Sequence, residues 1–165
     1  MTTPMPATPD PASFRAALGH FATGVTVVTA TDGEEPLGVA ANAFTSVSLD
    51  PPLVLFCAAN ASATWPRIRA ARGFCVNVLG ADQEDLCRRF AMSGVDRFAH
   101  TGYRLSAATG APILDEVLAY VDCVPEREVD AGDHVIVIGR VIDLGTLSAR
   151  DPLLFYRGGY GTFHA

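Results

Sequence analysis

Short apolar runs rich in β-branched residues recur along the chain, and turn residues separate them. Residues 25–31 and 37–41 flank an Asp32-Gly33 pair, which is the pattern of a β-hairpin. Further runs of strand length lie at 53–59, 74–79, 118–124, 135–144 and 153–156. Strands in hairpin order do not give the strict strand–helix alternation of a doubly wound fold. The pattern therefore predicts a mainly β, α+β fold, a small antiparallel barrel of about six or seven strands with about three flanking helices.

Helical spacing marks three segments that would flank this barrel. Asp10-Pro11 begins the first, which runs toward Gly24. The second spans 64–72 and the third spans 82–92. Residues 95–114 have weak periodicity, which predicts a loop with short elements.

Chain length and composition indicate one domain. The chain has 165 residues, of which 49% are hydrophobic, and it shows no internal repeat and no linker. We expect a flexible N-terminal tail at 1–12, rich in proline and threonine, and one domain at 13–165.

The acidic charge and the scattered cysteines restrict the protein's partners and compartment. A net charge of −6 and a pI near 5.0 argue against nonspecific binding to nucleic acid or anionic membranes. No apolar run reaches the length of a membrane span, and the first residues lack a signal-peptide pattern. Single cysteines without a C-x-x-C pair suit reduced thiols in a cytoplasmic protein better than disulfides or zinc. They are Cys57, Cys75, Cys87 and Cys123.

Residues 38–52 form a stretch of small side chains with three hydroxyls and one amide. We interpret it as a loop between two strands, which Asp50-Pro51-Pro52 ends abruptly. Small side chains let a flat ligand approach the backbone, while free N–H groups and hydroxyls bind its polar edge. The alternative is an ordinary connection with a Pro-Pro stop.

Two further groups of residues have the chemistry of a binding site. Ser62 and Thr64 lie at a predicted helix start, where hydroxyls and free N–H groups suit a phosphate, although plain helix capping explains them taken alone. Gly132-Asp133-His134 precedes the most apolar strand and places a histidine at its edge, although ordinary turn chemistry explains these residues taken alone.

Several nucleotide and hydrolase motifs are absent from the sequence. It contains neither G-x-G-x-x-G nor G-x-x-x-x-G-K-[ST], so a Rossmann or P-loop nucleotide site is disfavoured. It contains neither G-x-S-x-G nor H-E-x-x-H, so a serine or zinc hydrolase is disfavoured and no metal site is predicted.

Several segments of the chain occur in a characteristic order. They read FR at 14–15, FATGVTVVT at 21–29, ANAFTSVSLDPPLV at 41–54, S-x-T at 62–64, FCVNVL at 74–79, GDH at 132–134 and PLLFY at 152–156. This order resembles the short-chain flavin reductases, which are the reductase components of two-component flavin monooxygenases. The resemblance implies an antiparallel split β-barrel that binds FMN or FAD and forms a homodimer. It also implies reduction of flavin with NADH or NADPH and delivery of the reduced flavin to a separate monooxygenase.

The resemblance also implies roles for individual positions. At the isoalloxazine it places Ala40, Ala41, Asn42, Ala43, Phe44, Ser46 and Val47. Beneath the ribityl chain it places Cys57, Ala58 and Ala59. At the flavin phosphate it places Ser62 and Thr64, with Phe90, Ser93 and Arg97 closing that side. At the nicotinamide nucleotide it places His134, which orients the carboxamide or phosphate, with Arg157, Gly158 and Tyr160. Ala40 and Ala43 stand where relatives often carry threonine and serine, which leaves the choice between FMN and FAD open.

The residues agree with hydride transfer between two cofactors. Such a transfer needs two stacked rings and little acid–base help, so a chain without a catalytic triad is suited to it. One alternative is a flavoenzyme of the same fold that acts directly on another small molecule. Another is a flavin-binding carrier or redox sensor without catalytic activity. The segment at 132–134 favours the reductase, because a passive binder needs no nicotinamide site.

Overall fold

Strands dominate the structure, a computed structural model that describes residues 8–163. In chain order they are β1 (Thr23–Gly24), β2 (Thr26–Thr31), β3 (Pro36–Ala41), β4 (Phe44–Leu49), β5 (Pro52–Ala59), β6 (Phe74–Val78), β7 (Tyr103–Leu105), β8 (Pro112–Leu114), β9 (Ala119–Ala131), β10 (His134–Thr146), β11 (Leu153–Tyr156) and β12 (Gly159–Thr162). The helices are α1 (Pro11–Leu18), α2 (Trp65–Ala70) and α3 (Glu84–Ala91), and a 3-10 turn at Ala81–Gln83 precedes α3. Residues 1–7 of the predicted tail and residues 164–165 of the predicted domain lie outside the described part.

A seven-stranded antiparallel sheet with the order β3-β2-β6-β9-β10-β5-β4 forms the centre of the fold. Two smaller antiparallel sheets, β1-β11-β12 and β7-β8, accompany it. These sheets confirm the predicted mainly β, antiparallel fold with few helices. Within residues 8–163 no backbone pairing joins the edge strands β3 and β4, so the large sheet is open between them.

Buried side chains form two main clusters on opposite faces of β2. Val28 packs into the first cluster with residues of α2, whereas Val27 packs into the second with residues of α3. In the first cluster Phe56 makes edge-to-face contacts with Trp65 and Phe74 at 5.7 and 5.2 Å between ring centroids. Because successive strand residues point to opposite faces, β2 is covered on both sides. The strand thereby fixes its neighbour β3, which supplies a wall of the site described below.

The buried amide of Asn77 ties the segment around β8 to the sheet. Its Nδ2 donates to the Val27 carbonyl at 3.1 Å and to the Thr29 hydroxyl at 3.0 Å. Its Oδ1 accepts from the Leu114 N–H at 2.8 Å. A buried amide without partners is costly, so this network holds β8 in one position. The region predicted as a loop with short elements does contain the short strands β7 and β8, and it also contributes to the core.

The first helix begins as predicted and ends earlier. The Asp10 carboxylate accepts from the N–H groups of Ala12 and Ser13 at 3.0 and 3.1 Å, which confirms its role as the N-cap. The helix thus starts inside the region predicted as tail. Gly19 caps its other end, whereas Gly24, the predicted stop, lies in β1.

Residues 38–52 are mostly strand, so their interpretation as a loop is wrong. The strand β3 continues to Ala41 and β4 begins at Phe44, which leaves only Asn42 and Ala43 between the two strands. The aromatic and β-branched residues of β4, Phe44, Thr45 and Val47, favour a strand, and this preference outweighs the small size of the serine side chains.

The hairpin of β9 and β10 is longer than predicted. Each strand has 13 residues, and Gly132 and Asp133 form the turn, with Gly132 at a φ of +67°. Strand β9 continues through Pro125, which lies at a register shift opposite Gly139, because a proline is tolerated where the ladder is irregular.

Both alternating faces of residues 135–141 are largely apolar in sequence, but the structure covers them only in part. Val137 and Gly139 are buried, but the other residues of this segment are half-buried or exposed. Beyond it, Ile142 and Leu144 are exposed, the latter at 63%. This part of the sheet therefore presents apolar surface.

All four cysteines are free thiols, as predicted. Burial raises the pKa of Cys75 and Cys123 well above the ordinary thiol value, so both stay protonated at neutral pH. Among the described residues no helix has the length and apolar character required to cross a membrane.

Candidate functional site

Three cavities lie side by side in the protein and share lining residues. The first, here called the hydroxyl cleft, has a volume of about 630 Å³ and contains Ser62 and Thr64 in its wall. The second, the small cavity, has about 190 Å³ and shares Ala91 with the cleft. The third, the aromatic cavity, has about 810 Å³ and shares Asn42 and Phe155 with the small cavity. The shared residues place the three cavities next to one another, and we refer to them together as the trough.

The two hydroxyls of the hydroxyl cleft are available as donors. Ser62 Oγ accepts from the Trp65 N–H at 3.2 Å, and Thr64 Oγ1 accepts from Arg97 Nη1 at 2.7 Å. Within the described residues both oxygens act only as acceptors, so each retains an O–H to donate. A pair of free O–H donors suits a ligand group that only accepts, such as a phosphate. Ser62 provides a helix-capping contact, as the alternative interpretation holds, and keeps a free donor as well.

Arg97 brings a positive charge to the same cleft. Its Nε and Nη2 donate to the Met92 carbonyl at 2.8 and 2.6 Å, and its Nη1 donates to the Gly38 carbonyl at 2.7 Å. Among the described residues no carboxylate forms an ion pair with it. Partial burial lowers the pKa of Arg97, but a guanidinium remains charged at neutral pH. The cleft therefore has, among the described residues, a guanidinium without an ion pair beside two hydroxyl donors, while the carboxylates of Glu35 and Asp96 also line it.

The small cavity has walls of small side chains on one side and a tyrosine on the other. Ala40 and Ala41 of β3, with Asn42, form the first wall. Opposite them the Tyr160 hydroxyl lies 3.3 Å from the sulfur of Cys87. Burial raises the pKa of Tyr160 to about 12, so the phenol stays neutral. The alanines leave the backbone of β3 open to a flat ligand.

Arg88 fixes the orientation of the Tyr160 ring. Its guanidinium lies 4.7 Å from the ring centroid, a cation–π contact, and Glu84 accepts two hydrogen bonds from it at 2.6 and 2.8 Å. On its other side the Tyr160 ring packs edge-to-face on Phe155 at 5.3 Å.

The aromatic cavity contains the predicted histidine. His134 is half-buried, and its Nδ1 donates to Asp133 Oδ1 at 2.7 Å. This hydrogen bond lowers the pKa of the Asp133 carboxyl below its ordinary value. It also fixes the ring and leaves Nε2 for a ligand. Ala43, Phe44 and Gly158, to which the resemblance assigns roles at the flavin ring and at the nicotinamide nucleotide, line the same cavity.

Helix α1 forms a wall of the aromatic cavity that sequence reasoning missed. The lining from this region comprises Phe14, Arg15, Leu18, Gly19 and Phe21. The apolar residues Phe14, Leu18 and Phe21 recur at helical spacing, but they remain exposed, Phe21 at 74%. A large apolar side chain left exposed beside a cavity is a signal for a ligand or partner that only the structure reveals.

Several predicted site residues do not line the trough. They are Ser46, Val47, Cys57, Ala58, Phe90 and Arg157. Phe90 is a correction, because its ring is fully buried beneath Gly38 and contacts Phe98 in the core at 5.0 Å. Ala58 also faces the core, because strand alternation turns Cys57 and Ala59 to the other side, and of these Ala59 lines the hydroxyl cleft.

Two of the other residues support the trough from behind. The N–H of Cys57 donates to the Ala43 carbonyl at 3.1 Å and holds the connection between β3 and β4. Arg157 has a φ of 50°, and its N–H donates to the Gly19 carbonyl at 2.9 Å, which ties the β11–β12 turn to the end of α1. In β4, Ser46 and Val47 lie at a register shift of an edge strand.

The trough combines three chemical properties along its length. One end offers hydroxyl donors and a cation, the middle offers small side chains, and the other end offers aromatic walls with a histidine. Within residues 8–163 no group of three or more His, Cys, Asp or Glu side chains is arranged to hold a metal ion. The arrangement suits binding of an elongated anion with a flat ring beside a second ligand.

The family model and the similar proteins agree on the family of this chain. Residues 18–164 match the family model described as the flavin reductase like domain. The chain is 50% identical over 157 residues to a flavin reductase of Pseudomonas putida, covering 94% of this chain and 92% of that protein. It is 45% identical over 151 residues to the reductase subunit HsaB of a flavin-dependent monooxygenase of Rhodococcus jostii, covering 92% of this chain and 77% of that protein.

A solved structure shows the same likeness in three dimensions. It is the NADH:FAD oxidoreductase SgcE6 of Streptomyces globisporus, in complex with NAD and FAD fragments. The TM-score is 0.89 at 41% sequence identity, over 94% of this chain and 93% of that one.

Proposed function

Since the chain belongs to the flavin reductase like domain family, we propose that it reduces FMN or FAD with NADH or NADPH and supplies the reduced flavin to a separate monooxygenase. The observation that carries the proposal is the row of neighbouring cavities, which has hydroxyl donors and a cation at Ser62, Thr64 and Arg97 and a second ligand cavity at His134. A passive flavin binder has no use for the second cavity.

The residues of the hydroxyl cleft fit a flavin phosphate. Ser62 and Thr64 have free O–H donors, and the Arg97 charge is not paired with an acid among the described residues. Hydrogen bonds to a charged group contribute about 1.5–3 kcal/mol each. Ser93 lies in the same wall and is a further donor for the phosphate, while Ala59 borders the approach of the ribityl chain.

The residues around the small cavity fit the flavin ring. Ala40 to Ala43 have side chains of little bulk, except for the amide of Asn42, and Phe44 follows at the start of β4. Backbone N–H groups at this edge stabilise negative charge on a bound ring without a titrating side chain. Cys57 supports this segment from β5, because its N–H donates to the Ala43 carbonyl at 3.1 Å.

The residues of the aromatic cavity fit the reduced nicotinamide nucleotide. His134, held by Asp133, points its free ring nitrogen to the nucleotide, and Gly158 leaves room at the opposite wall. Tyr160 lines the neighbouring small cavity, and Arg157 holds the turn that carries Gly158.

Bound flavin supplies the chemistry, since it accepts a hydride from the nicotinamide. The protein binds the two rings, aligns them and shields them from water. No side chain of the trough has to transfer a proton, which agrees with the neutral Tyr160 and with the use of His134 as an orienting group.

The assembly and compartment follow from the same proposal. The exposed apolar residues of β4 and β10, with Leu49 at 94%, support a homodimer that covers them. Free thiols and the use of NADH or NADPH support a cytoplasmic location.

The test is oxidation of NADH and NADPH by the purified chain with FMN, FAD or riboflavin, followed by nicotinamide absorbance. We expect oxidation that depends on added flavin. Flavin binding without oxidation would identify a carrier or sensor instead. Oxidation that requires another small molecule as acceptor would identify a flavoenzyme that acts on that molecule directly.

A further inference from the structure

Arg15 is a cation on the wall of the aromatic cavity whose role is not explained by the fold. It lies in the last turn of α1, is exposed, and lines the cavity together with His134. Among the described residues it forms no ion pair, and its side chain makes no hydrogen bond. Its charge also contributes, as the smallest of several causes, to the lowered pKa of the Asp133 carboxyl.

The position of Arg15 is held by contacts at both ends of its helix. Asp10 caps the start of α1, and the Gly19 carbonyl at its end accepts from the Arg157 N–H at 2.9 Å. The β11–β12 turn that contains Arg157 also contributes Gly158 to the cavity. The helix that carries the Arg15 guanidinium is therefore tied to the turn that contributes Gly158 to the cavity.

The walls around Arg15 select a ligand with flat rings and negative charge. Aromatic rings of Phe14, Phe21, Phe44 and Phe155 offer faces and edges to a heterocycle. A volume of about 810 Å³ is within the range of a nucleotide-sized ligand. Arg15 and His134 are the cationic or potentially cationic side chains in this lining. Of the two, His134 is already engaged with Asp133.

We propose that Arg15 is a specificity-determining residue that binds the phosphate groups of the reduced nicotinamide nucleotide in the aromatic cavity. The inference rests on the proposed function for the choice of nucleotide. It also replaces Arg157 as the cation for this ligand, because Arg157 does not line the cavity. His134 then contacts the nicotinamide part, and Arg15 sets the preference for phosphorylated hydride donors.

The test compares three hydride donors that differ in phosphate content: NADH, reduced nicotinamide mononucleotide and reduced nicotinamide riboside. With R15A we expect the KM for NADH and for the mononucleotide to rise about tenfold, with kcat close to that of the unchanged protein. The KM for the riboside, which has no phosphate, stays within about twofold. R72A is the matched control, because Arg72 is exposed and lies outside the trough, and it should change none of the three values.

A direct titration of NADH, followed by its fluorescence, measures binding without turnover. R15A should weaken NADH binding about tenfold, and R15K should restore much of it, because lysine keeps the charge. Thermal unfolding of each variant checks that the fold is retained.

The outcomes separate this inference from the proposed function. An unchanged protein that oxidises none of the three donors contradicts the proposed function, while weakened NADH binding by R15A in the same experiments still supports the role of Arg15. Equal KM increases for the riboside and NADH, or no change in NADH binding, would overturn the role of Arg15 whatever the activity.

Discussion

Thr64 and Arg97 are joined by a hydrogen bond of 2.7 Å from Nη1 to Oγ1, across the hydroxyl cleft wall. This hydrogen bond has both a structural effect and an effect on ligand binding. It holds the segment after α3 against α2, and it occupies the acceptor side of Thr64 so that the remaining O–H points to a ligand that accepts. A structural contact and a binding contact are thus combined in one side chain.

The first prediction concerns the flavin phosphate. Replacing both hydroxyls in the double variant S62A/T64A should weaken FMN binding by roughly tenfold to over a hundredfold, because at least one hydrogen bond to a charged group is lost. Riboflavin, which has no phosphate, should bind almost as before. Fluorescence titration of both ligands measures the difference, and equal losses would mean that the two hydroxyls serve only the fold.

His134 provides the second prediction. H134A should raise the KM for NADH about tenfold, since one oriented contact is lost, while flavin affinity stays unchanged. D133N is the matched control: it keeps the imidazole and weakens only the 2.7 Å contact that orients it, so its effect should be smaller. Steady-state kinetics with flavin titrations decide, and loss of flavin binding in H134A would place the histidine at the flavin instead.

A glycine beside the cleft gives the third prediction. A Cβ at Gly38 would lie 2.4 Å from a ring carbon of the fully buried Phe90, so G38A must displace that ring or the strand. We expect destabilisation of about 1–3 kcal/mol and weaker FMN binding, because the Gly38 carbonyl also accepts from Arg97. G161A is the control, since a Cβ there meets no atom within 4 Å. Urea unfolding measures both variants, and equal stability of the two would contradict the packing argument.

The fourth prediction concerns alkaline pH. Burial raises the pKa of Cys75 and Cys123 above the ordinary value of 9.0, to about 12 for Cys123. Between these values the unfolded chain releases thiol protons that the folded chain keeps. The free energy of unfolding should therefore be unaffected below pH 9.0 and should fall as pH rises toward 12, by up to about 1.4 kcal/mol per pH unit for each thiol.

Urea unfolding across this pH range measures the slope. C123A should be less stable than the unchanged protein at neutral pH but should lose less stability between pH 9 and pH 11. A slope that is the same in both proteins would show that other groups cause the alkaline loss.

The fifth prediction concerns assembly. The edge strand β4 and the end of β10 expose Leu49 and Leu144, and we expect a dimer of twice 17.4 kDa in light scattering at micromolar concentration. L49D should shift the equilibrium toward the monomer, because it places a charge on the exposed edge, whereas a charge at the separate exposed residue Leu105 in β7 should not. A monomeric unchanged protein would rule out the dimer.

Local sequence patterns predicted most of the strands, for physical reasons that are visible in single segments. The Asp32-Gly33 turn lies between two runs whose pairing depends only on neighbours in the chain, and β2 and β3 form there. The prediction for residues 38–52 was wrong because small residues suggest a loop, although Phe44, Thr45 and Val47 are residue types that favour a strand. The strand predicted at 118–124 continues through Pro125, because the register shift at Gly139 accommodates this proline.

The site was less accessible to sequence reasoning than the fold. Ser62, Thr64 and Arg97 meet in one cleft as the family resemblance implies. Phe90 lies in α3 and its side chain packs into the core, which agrees with the helical spacing of its segment and not with the role that the resemblance implies for it at the phosphate. Arg15 and Phe21 were not assigned to the site, because helical spacing alone does not tell whether an apolar face covers a core or borders a cavity.

The hydrogen bond from the Arg157 N–H to the Gly19 carbonyl joins a late segment of the chain to an early one, and β1 pairs with β11 beside it. The aromatic cavity is thus walled by an early segment and a late one. During synthesis on the ribosome, all strands from β2 to β10 are made before the late wall of the aromatic cavity, which Phe155 and Gly158 provide. A nascent chain can complete its large sheet and its hydroxyl cleft while it still lacks the cavity for the hydride donor. On our assignment, the capacity to consume nicotinamide would be the last property that the growing protein acquires.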